Sequence, residues 1–460
     1  MVTRRSRTPR RLGRRAFLRS LAVGLGGGIP LLATRGQPSS QQQPTPPPTA
    51  APAKPAEVKL AQVAPGKAGG PVTLKYMSWW WAEKGRNDAW RALVKKFHDS
   101  QNDIRIQEVS FPYSDYFNRV MTQIAGGRLD ADVLSAYDEL AIRLIKGNQL
   151  EPLDDLVATL GIKGKLSSMN DFVTSNGKLY ALFCTTPGYA LIYNKELYDK
   201  EGITKPPASQ EEYFAVAKKV THRPHQFGHA GRHTISEQGG WLQDITQWVL
   251  GYGGVWAKAK KPLVTTDPVI NAVKAYKKLY DEAMPQGADA STYRRMAWEG
   301  KIVQYIDNSA NINILKTGNP DIYPKIYTAP PPWENRRSIA FPSYVAIYAG
   351  SKNKEAARVW WEFVLKKENL GPLYEQALDI IPAYEGAIRE EWLKSLHWVS
   401  GFRAANQVVL ASTLEGFEAN IAEFRQIVLQ RVSEVLTAGK APEQAMQEAQ
   451  KELEDLATRI

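Results

Sequence analysis

Apolar and polar positions alternate where the chain first becomes globular in character. Val72, Leu74 and Tyr76 are set against Thr73 and Lys75, a period of two that predicts a strand. That strand runs into Trp79, Trp80 and Trp81, then Glu83, Lys84 and Gly85. Helical spacing follows at Trp90, Leu93, Val94 and Phe97. Ile104, Ile106 and Val109 mark a second strand. Phe117, Val120, Met121 and Ile124 recur at i, i+3, i+4 and i+7 on a helix that stops at Gly126-Gly127. Asp132-Val133-Leu134 forms a short buried strand, followed by the polar and aromatic stretch Ser135–Glu139. The β-α-β-α order predicts a mostly parallel α/β sheet with helices on both faces. Ligands of such sheets gather at the carboxyl ends of the strands. Trp79, Trp80, Glu83 and Lys84 after the first strand, and Tyr137, Asp138 and Glu139 after the third, are therefore candidate ligand-binding residues.

Further on, Asn176-Gly177 before an apolar run predicts a hairpin. Ala190–Tyr193 reads as another strand. Ser209 and Glu212 form a capping box ahead of a helix striped by Tyr213, Val216, Ala217 and Val220. Aromatics then cluster at Trp241, Trp248, Tyr252 and Trp256, and Asp307-Asn308 closes the strand that begins at Ile302. Candidates in this half are Glu237, Trp241, Asp307, Asn308, Trp333 and Tyr344; Trp248 and Trp256 suit core or site equally. Trp360-Trp361, on a helix with Val359, Phe363 and Val364, is assigned to the core.

Charge changes the picture mainly at the start. Nine arginines and no acid lie between Met1 and Arg35, so most of the formal charge of +12 belongs to that segment. The remainder is close to neutral, which argues against a nucleic-acid partner. Arg14-Arg15 followed by Phe17-Leu18, ahead of the apolar stretch Leu21–Ala33, resembles a twin-arginine export signal over residues 1–36. Residues 37–70, rich in Pro, Gln and Ala, read as an extended spacer. If the signal is not cleaved, the spacer would hold the globular part away from a membrane. Cys184 is the only cysteine, so neither an intrachain disulfide nor a thiolate cluster can form. His222, His225, His229 and His233 recur at metal-like spacing, but Pro224, Gly228 and Gly231 break any helix that would align them. No metal, no other cofactor and no catalytic residue is expected.

Several blocks in order resemble the family 1 extracellular solute-binding proteins, the sugar-capturing components of ABC importers. They are Leu191–Leu197, Gly202-Ile203, Pro206–Glu212, Gln123–Gly127, Leu150–Leu156, Trp298–Lys301, Lys352–Ala357 and Gly439–Ala445. In the first block after the opening strand, Trp79, Glu83, Lys84, Gly85 and Asn87 match the sugar-contacting loop of the maltose-binding type. Ala136 and Gly188 depart from it. The resemblance implies a two-lobed periplasmic-binding-protein fold with discontinuous lobes, hinge strands and a ligand cleft. One lobe would hold 71–184 plus about 309–370 and the other 185–308 plus about 371–460. It also implies a sugar or oligosaccharide ligand, a membrane permease as partner, a monomer, and a periplasmic or cell-surface location. The alternatives are a secreted carbohydrate-active enzyme and a binding protein for a non-sugar solute.

Overall fold

The computed structural model describes residues 71–83 and 86–460. The expected export signal and spacer, and Lys84, lie outside the described residues. The alternating stretch at the start becomes β1 (Val72–Ser78), followed by β2 (Ile104–Ser110) and β3 (Val133–Tyr137). A hairpin of β4 (Thr174–Ser175) and β5 (Lys178–Leu179) precedes β6 (Leu182–Thr185) and β7 (Tyr189–Asn194). The hairpin turns at Asn176 and Gly177, with φ of 50° and 73°, the left-handed pair that an Asn-Gly turn supplies. A second hairpin, β8 (Ala257–Lys258) and β9 (Lys261–Pro262), is followed by β10 (Gln304–Asn308) and β11 (Ile326–Ala329). Last come β12 (Arg337–Ala340), β13 (Ser343–Ile347) and β14 (Asn406–Val409).

Two main sheets result. The first has the order β2-β1-β3-β13-β6, in which β1 runs parallel to β2 and β3 while β13 is antiparallel to β3 and β6. Its core joins the sheet to the helices Arg86–Ser100 and Lys354–Leu365 through Tyr76, Trp90, Phe97, Trp360 and Trp361. Trp360 and Trp361 are fully buried, as their helical stripe requires. In the second sheet β7 lies between β10 and β11, antiparallel to both. The helices Gln238–Gly251, Asp267–Glu282 and Ile421–Ala438 enclose its core around Trp241, Trp248, Tyr276 and Val428. Ser209 caps the helix as expected, its Oγ accepting from Glu212 N at 3.1 Å, while Glu212 Oε2 reaches one residue further back and accepts from Ala208 N at 2.7 Å.

Two crossings join the lobes side by side. β6 passes to β7 through Thr186-Pro187-Gly188, and β12 passes to β13 through Phe341-Pro342. Thr185 pairs with Ser343, Gly188 bridges to Ala340, and Phe341 N donates to Pro187 O. The lobe boundaries differ from those expected. The chain does not return to the first lobe at about 309, because β11 finds its partner in β7 and β12 finds its partner in β14. The return comes at Ser343. Nor does the chain leave again at 371. The helix Lys367–Ala377 and the segment after it stay on the first lobe through Lys96–Asn369, Arg86–Asp379 and Ser167 N to Ala383 O.

Candidate functional site

Parallel pairing of β1 with β2 and β3 brings three strand ends together at the cleft. Trp79 follows β1, Tyr113 follows β2, and Tyr137 ends β3. Trp79 meets Tyr113 and Tyr137 edge-on at 5.8 and 6.0 Å between ring centroids. Phe341, in the second crossing, stacks on Tyr137 at 5.6 Å and meets Tyr113 at 6.0 Å. The result is an aromatic wall spanning strand ends and hinge. Tyr113 is 45% exposed although aromatic rings flank it. An apolar face presented beside the hinge suits the C–H faces of a polyhydroxy ligand.

The three tryptophans separate because the chain turns sharply. Ser78 Oγ accepts from Trp80 N at 3.1 Å and starts a 3₁₀ turn over Trp79–Ala82. Three residues per turn send consecutive side chains about 120° apart. Trp80 therefore stacks on Trp90 at 4.9 Å, with the Arg86 guanidinium 5.8 Å from its ring, and Trp81 Nε1 donates to Tyr76 O at 3.0 Å. Trp80, expected at the ligand, is a core residue here; Trp79 is buried as well, at 3% exposure, with its ring against Tyr113 and Tyr137 at the strand ends. Glu83 pairs with Arg86 at 3.5 Å, and desolvation raises its carboxyl despite that partner.

Asp138 and Glu139 open the helix Asp138–Lys146 and are almost wholly buried. Asp138 Oδ1 accepts from Glu139 N at 2.9 Å. Burial pushes Asp138 up to about 6, against backbone N–H donors and Arg425. Burial pushes Glu139 up to about 7, against the guanidiniums of Arg425 and Arg143. Arg143 lies 3.5 Å from Glu139, and Arg425, on the second-lobe helix Ile421–Ala438, lies 3.9 Å from it. The lobes thus meet through opposite charges beside the aromatic wall.

At the hinge end of the second sheet, Asp307 accepts from Tyr293 Oη at 3.0 Å, Arg294 Nη2 at 3.1 Å and Asn308 N at 2.7 Å. Burial pushes its carboxyl up, but Arg294, Arg232 and the Asn308 N–H together hold it below the usual range. Tyr189 Oη donates to Gln243 at 2.9 Å, and Arg232 pairs with the buried Asp244 at 2.7 Å. This network fixes Asn308 and the partly exposed Arg294 at the second lobe's hinge edge.

Other expected site residues are used elsewhere. Trp241 is fully buried, because the helix Gln238–Gly251 turns Trp241, Ile245 and Trp248 together into the second core. Trp333 packs edge-on against Trp248 at 5.6 Å and donates Nε1 to Arg337 O at 2.8 Å. Tyr344 points into the first core and donates to Met169 O at 2.8 Å. Glu237 accepts from Ala290 N at 3.0 Å, tying a loop to the next helix.

Sequence reasoning missed Tyr113, Arg294 and Arg425. Only Tyr113 carried a signal, as an aromatic just past the end of a strand. The histidines go to separate partners. His222 pairs with Glu201 at 2.9 Å, His229 Nδ1 meets Tyr213 Oη at 2.6 Å, and His233 Nε2 accepts from Gly287 N at 2.9 Å. Burial lowers His229 to about 3. Cys184 is buried and its thiol is pushed up by desolvation.

Comparison with known proteins follows this geometry. An ABC transporter solute binding protein from Thermotoga lettingae, bound with α-D-tagatose, superposes with a TM-score of 0.74 at 18% identity, covering 84% of this chain and 99% of that one. A maltose-bound MalE3 of T. maritima gives 0.72 at 19% identity, with 84% and 99% covered. In sequence, a mannitol-binding protein of Pseudomonas aeruginosa is 29% identical over 157 residues, 33% of this chain and 35% of the relative. The family model described as bacterial extracellular solute-binding protein matches residues 92–397. The chain is a member of the bacterial extracellular solute-binding protein family.

Proposed function

We propose that the protein captures a sugar or a sugar alcohol between its lobes and presents it to an ABC permease, performing no chemical step itself. The observation that carries this is the wall of Trp79, Tyr113, Tyr137 and Phe341 set beside Asp138, Glu139 and Arg425. Aromatic faces take C–H surfaces, while carboxylates and guanidiniums satisfy hydroxyls. Relatives bind tagatose, maltose and mannitol by their names, so the class is represented at both monosaccharide and disaccharide size. Asp138 and Glu139 are consecutive on one helix turn rather than facing each other across a bond, which does not suit a glycosidase pair. Export through the Arg14-Arg15 signal would deliver the folded protein to the cell exterior, where its permease waits. Hinge motion at Thr186–Gly188 and Phe341-Pro342 would open and close the cleft. A thermal-shift panel of D-mannitol, D-tagatose, maltose and maltotriose tests this. A ligand bound only by the folded state raises the melting temperature. At least one member should do so with saturation; no shift with any of them, at millimolar concentration, would refute the assignment.

A further inference from the structure

The contact between the helix Asp138–Lys146 and Arg425 has an unusual hydrogen-bond inventory. Among the described residues, Asp138 Oδ2, Glu139 Oε1, Arg143 Nε and Arg425 Nε are buried without a hydrogen-bond partner. Three of these groups come from the first lobe and one from the second. Asp138 and Glu139 are only 2% and 3% exposed, so these orphan atoms carry a desolvation cost that a partner would offset. The Glu139–Arg425 separation of 3.9 Å and the Glu139–Arg143 separation of 3.5 Å exceed the roughly 2.7–2.9 Å of a charge-assisted hydrogen bond. Glu139 therefore lies between two guanidiniums without closing on either, with the Asp138 carboxylate beside it on the same helix turn.

The set is balanced in two respects. It offers two acceptors and two donors among its unpartnered atoms, and two carboxyls set against two guanidiniums. Glu423, the other acid near it, is exposed and accepts from Asn420 at 3.3 Å. A hydroxyl is donor and acceptor at once, so a pair of neighbouring hydroxyls can satisfy one carboxylate oxygen and one guanidinium N–H together. A cation would leave the guanidiniums opposed by a like charge, and an anion would do the same to the carboxylates. A neutral polyol leaves the balance intact.

Resting on the reading of the cleft as a polyhydroxy-solute site, we propose that Arg425 is its specificity-determining residue on the second lobe. It would act with Asp138 and Glu139 to clasp neighbouring hydroxyls of an uncharged ligand. Closure then brings the donor to hydroxyls already held by the first-lobe acceptors, so ligand and lobes are joined by the same contacts. A simple interlobe latch would use the Glu139–Arg425 attraction alone.

Calorimetric titration of the whole chain with D-mannitol and maltose, taking whichever binds as the probe, separates these accounts. Arg425→Met should weaken the probe at least tenfold while a cooperative melt shows that the fold is retained. The exchanged pair Glu139→Arg with Arg425→Glu should remain weak, because donors and acceptors have swapped lobes. D-gluconate and spermidine should bind at least tenfold more weakly than the probe. Parental affinity in Arg425→Met would overturn the proposal, as would restored affinity in the exchanged pair, which is the result of a pure latch. Gluconate or spermidine binding as tightly as the probe would overturn the uncharged class. If neither probe binds the parent and the thermal panel is silent, the sugar-site reading falls with it; if the parent binds and the variants match it, only the present proposal falls.

Discussion

Replacing Trp241 with alanine separates core from site in the second lobe. Its indole is fully buried in the core formed with Ile245, Trp248 and Val428, and no face reaches the cleft. Truncating a buried tryptophan removes its packing and leaves a cavity, a loss of about 3–5 kcal/mol. Each kcal/mol lowers the melting temperature by about 2–4 °C for a unit of 150–250 residues, so a fall of roughly 10 °C is expected for this lobe. The Nε1 donor has no partner to lose, so the cost should come from packing rather than from a broken hydrogen bond. Circular-dichroism melts measure the first quantity. Titration with the ligand from the thermal panel, well below the melt, measures the second, and affinity should stay within about threefold of the parent, or under 1 kcal/mol. A variant that melts like the parent but loses tenfold or more in affinity would show that Trp241 reaches the ligand, and the division of the second lobe into core and cleft would be refuted.

Tyr113→Ala should do the reverse, weakening binding by about tenfold or more while shifting the melt by less than about 2 °C, since the ring is 45% exposed; titration beside melts checks it. Glu139→Gln probes pH. A carboxyl raised from 4.5 to about 7 in the folded state contributes stability that is complete below its unfolded value and is lost as pH rises through about 7. Parent and variant should therefore melt alike near pH 5. The glutamine form should be more stable at pH 8 by at most about 3 kcal/mol, and a gap that does not grow with pH would contradict the assigned burial. Changing Arg14 and Arg15 together to lysine should leave precursor inside the cell on fractionation, and normal export would remove the twin-arginine assignment.

Local pattern revealed much of the fold. The alternation at Val72–Tyr76, the Asn176-Gly177 turn and the Ser209–Glu212 cap each act within a few residues, where sequence and conformation are directly coupled. Helical spacing likewise placed Trp360 and Trp361 in the core. The lobe boundaries were not legible, because whether a segment such as Ile326–Ala329 pairs with β7 or returns to the first sheet depends on partners distant in sequence. The same holds for the site. Three adjacent tryptophans look equivalent until a 3₁₀ turn points them apart, and Trp241 looks like a site aromatic until its helix is rotated against the second core. Tyr113 falls on the helical period of Tyr116, Phe117 and Val120, so it reads as the start of that helix's apolar stripe rather than as an exposed ring. Arg425 becomes meaningful only when folding sets its helix against Glu139.

The central claim is that the cleft between the lobes holds an uncharged polyhydroxy solute against the strand-end aromatics. A crystal structure of the protein with the ligand identified by thermal shift tests it most directly. The account predicts the ligand's C–H face on Tyr113 and Tyr137, with its hydroxyls within about 3 Å of Asp138 or Glu139 from one lobe and Arg425 from the other. Ligand bound away from the hinge, or in the cleft with no contact to those aromatics and charges, would contradict it.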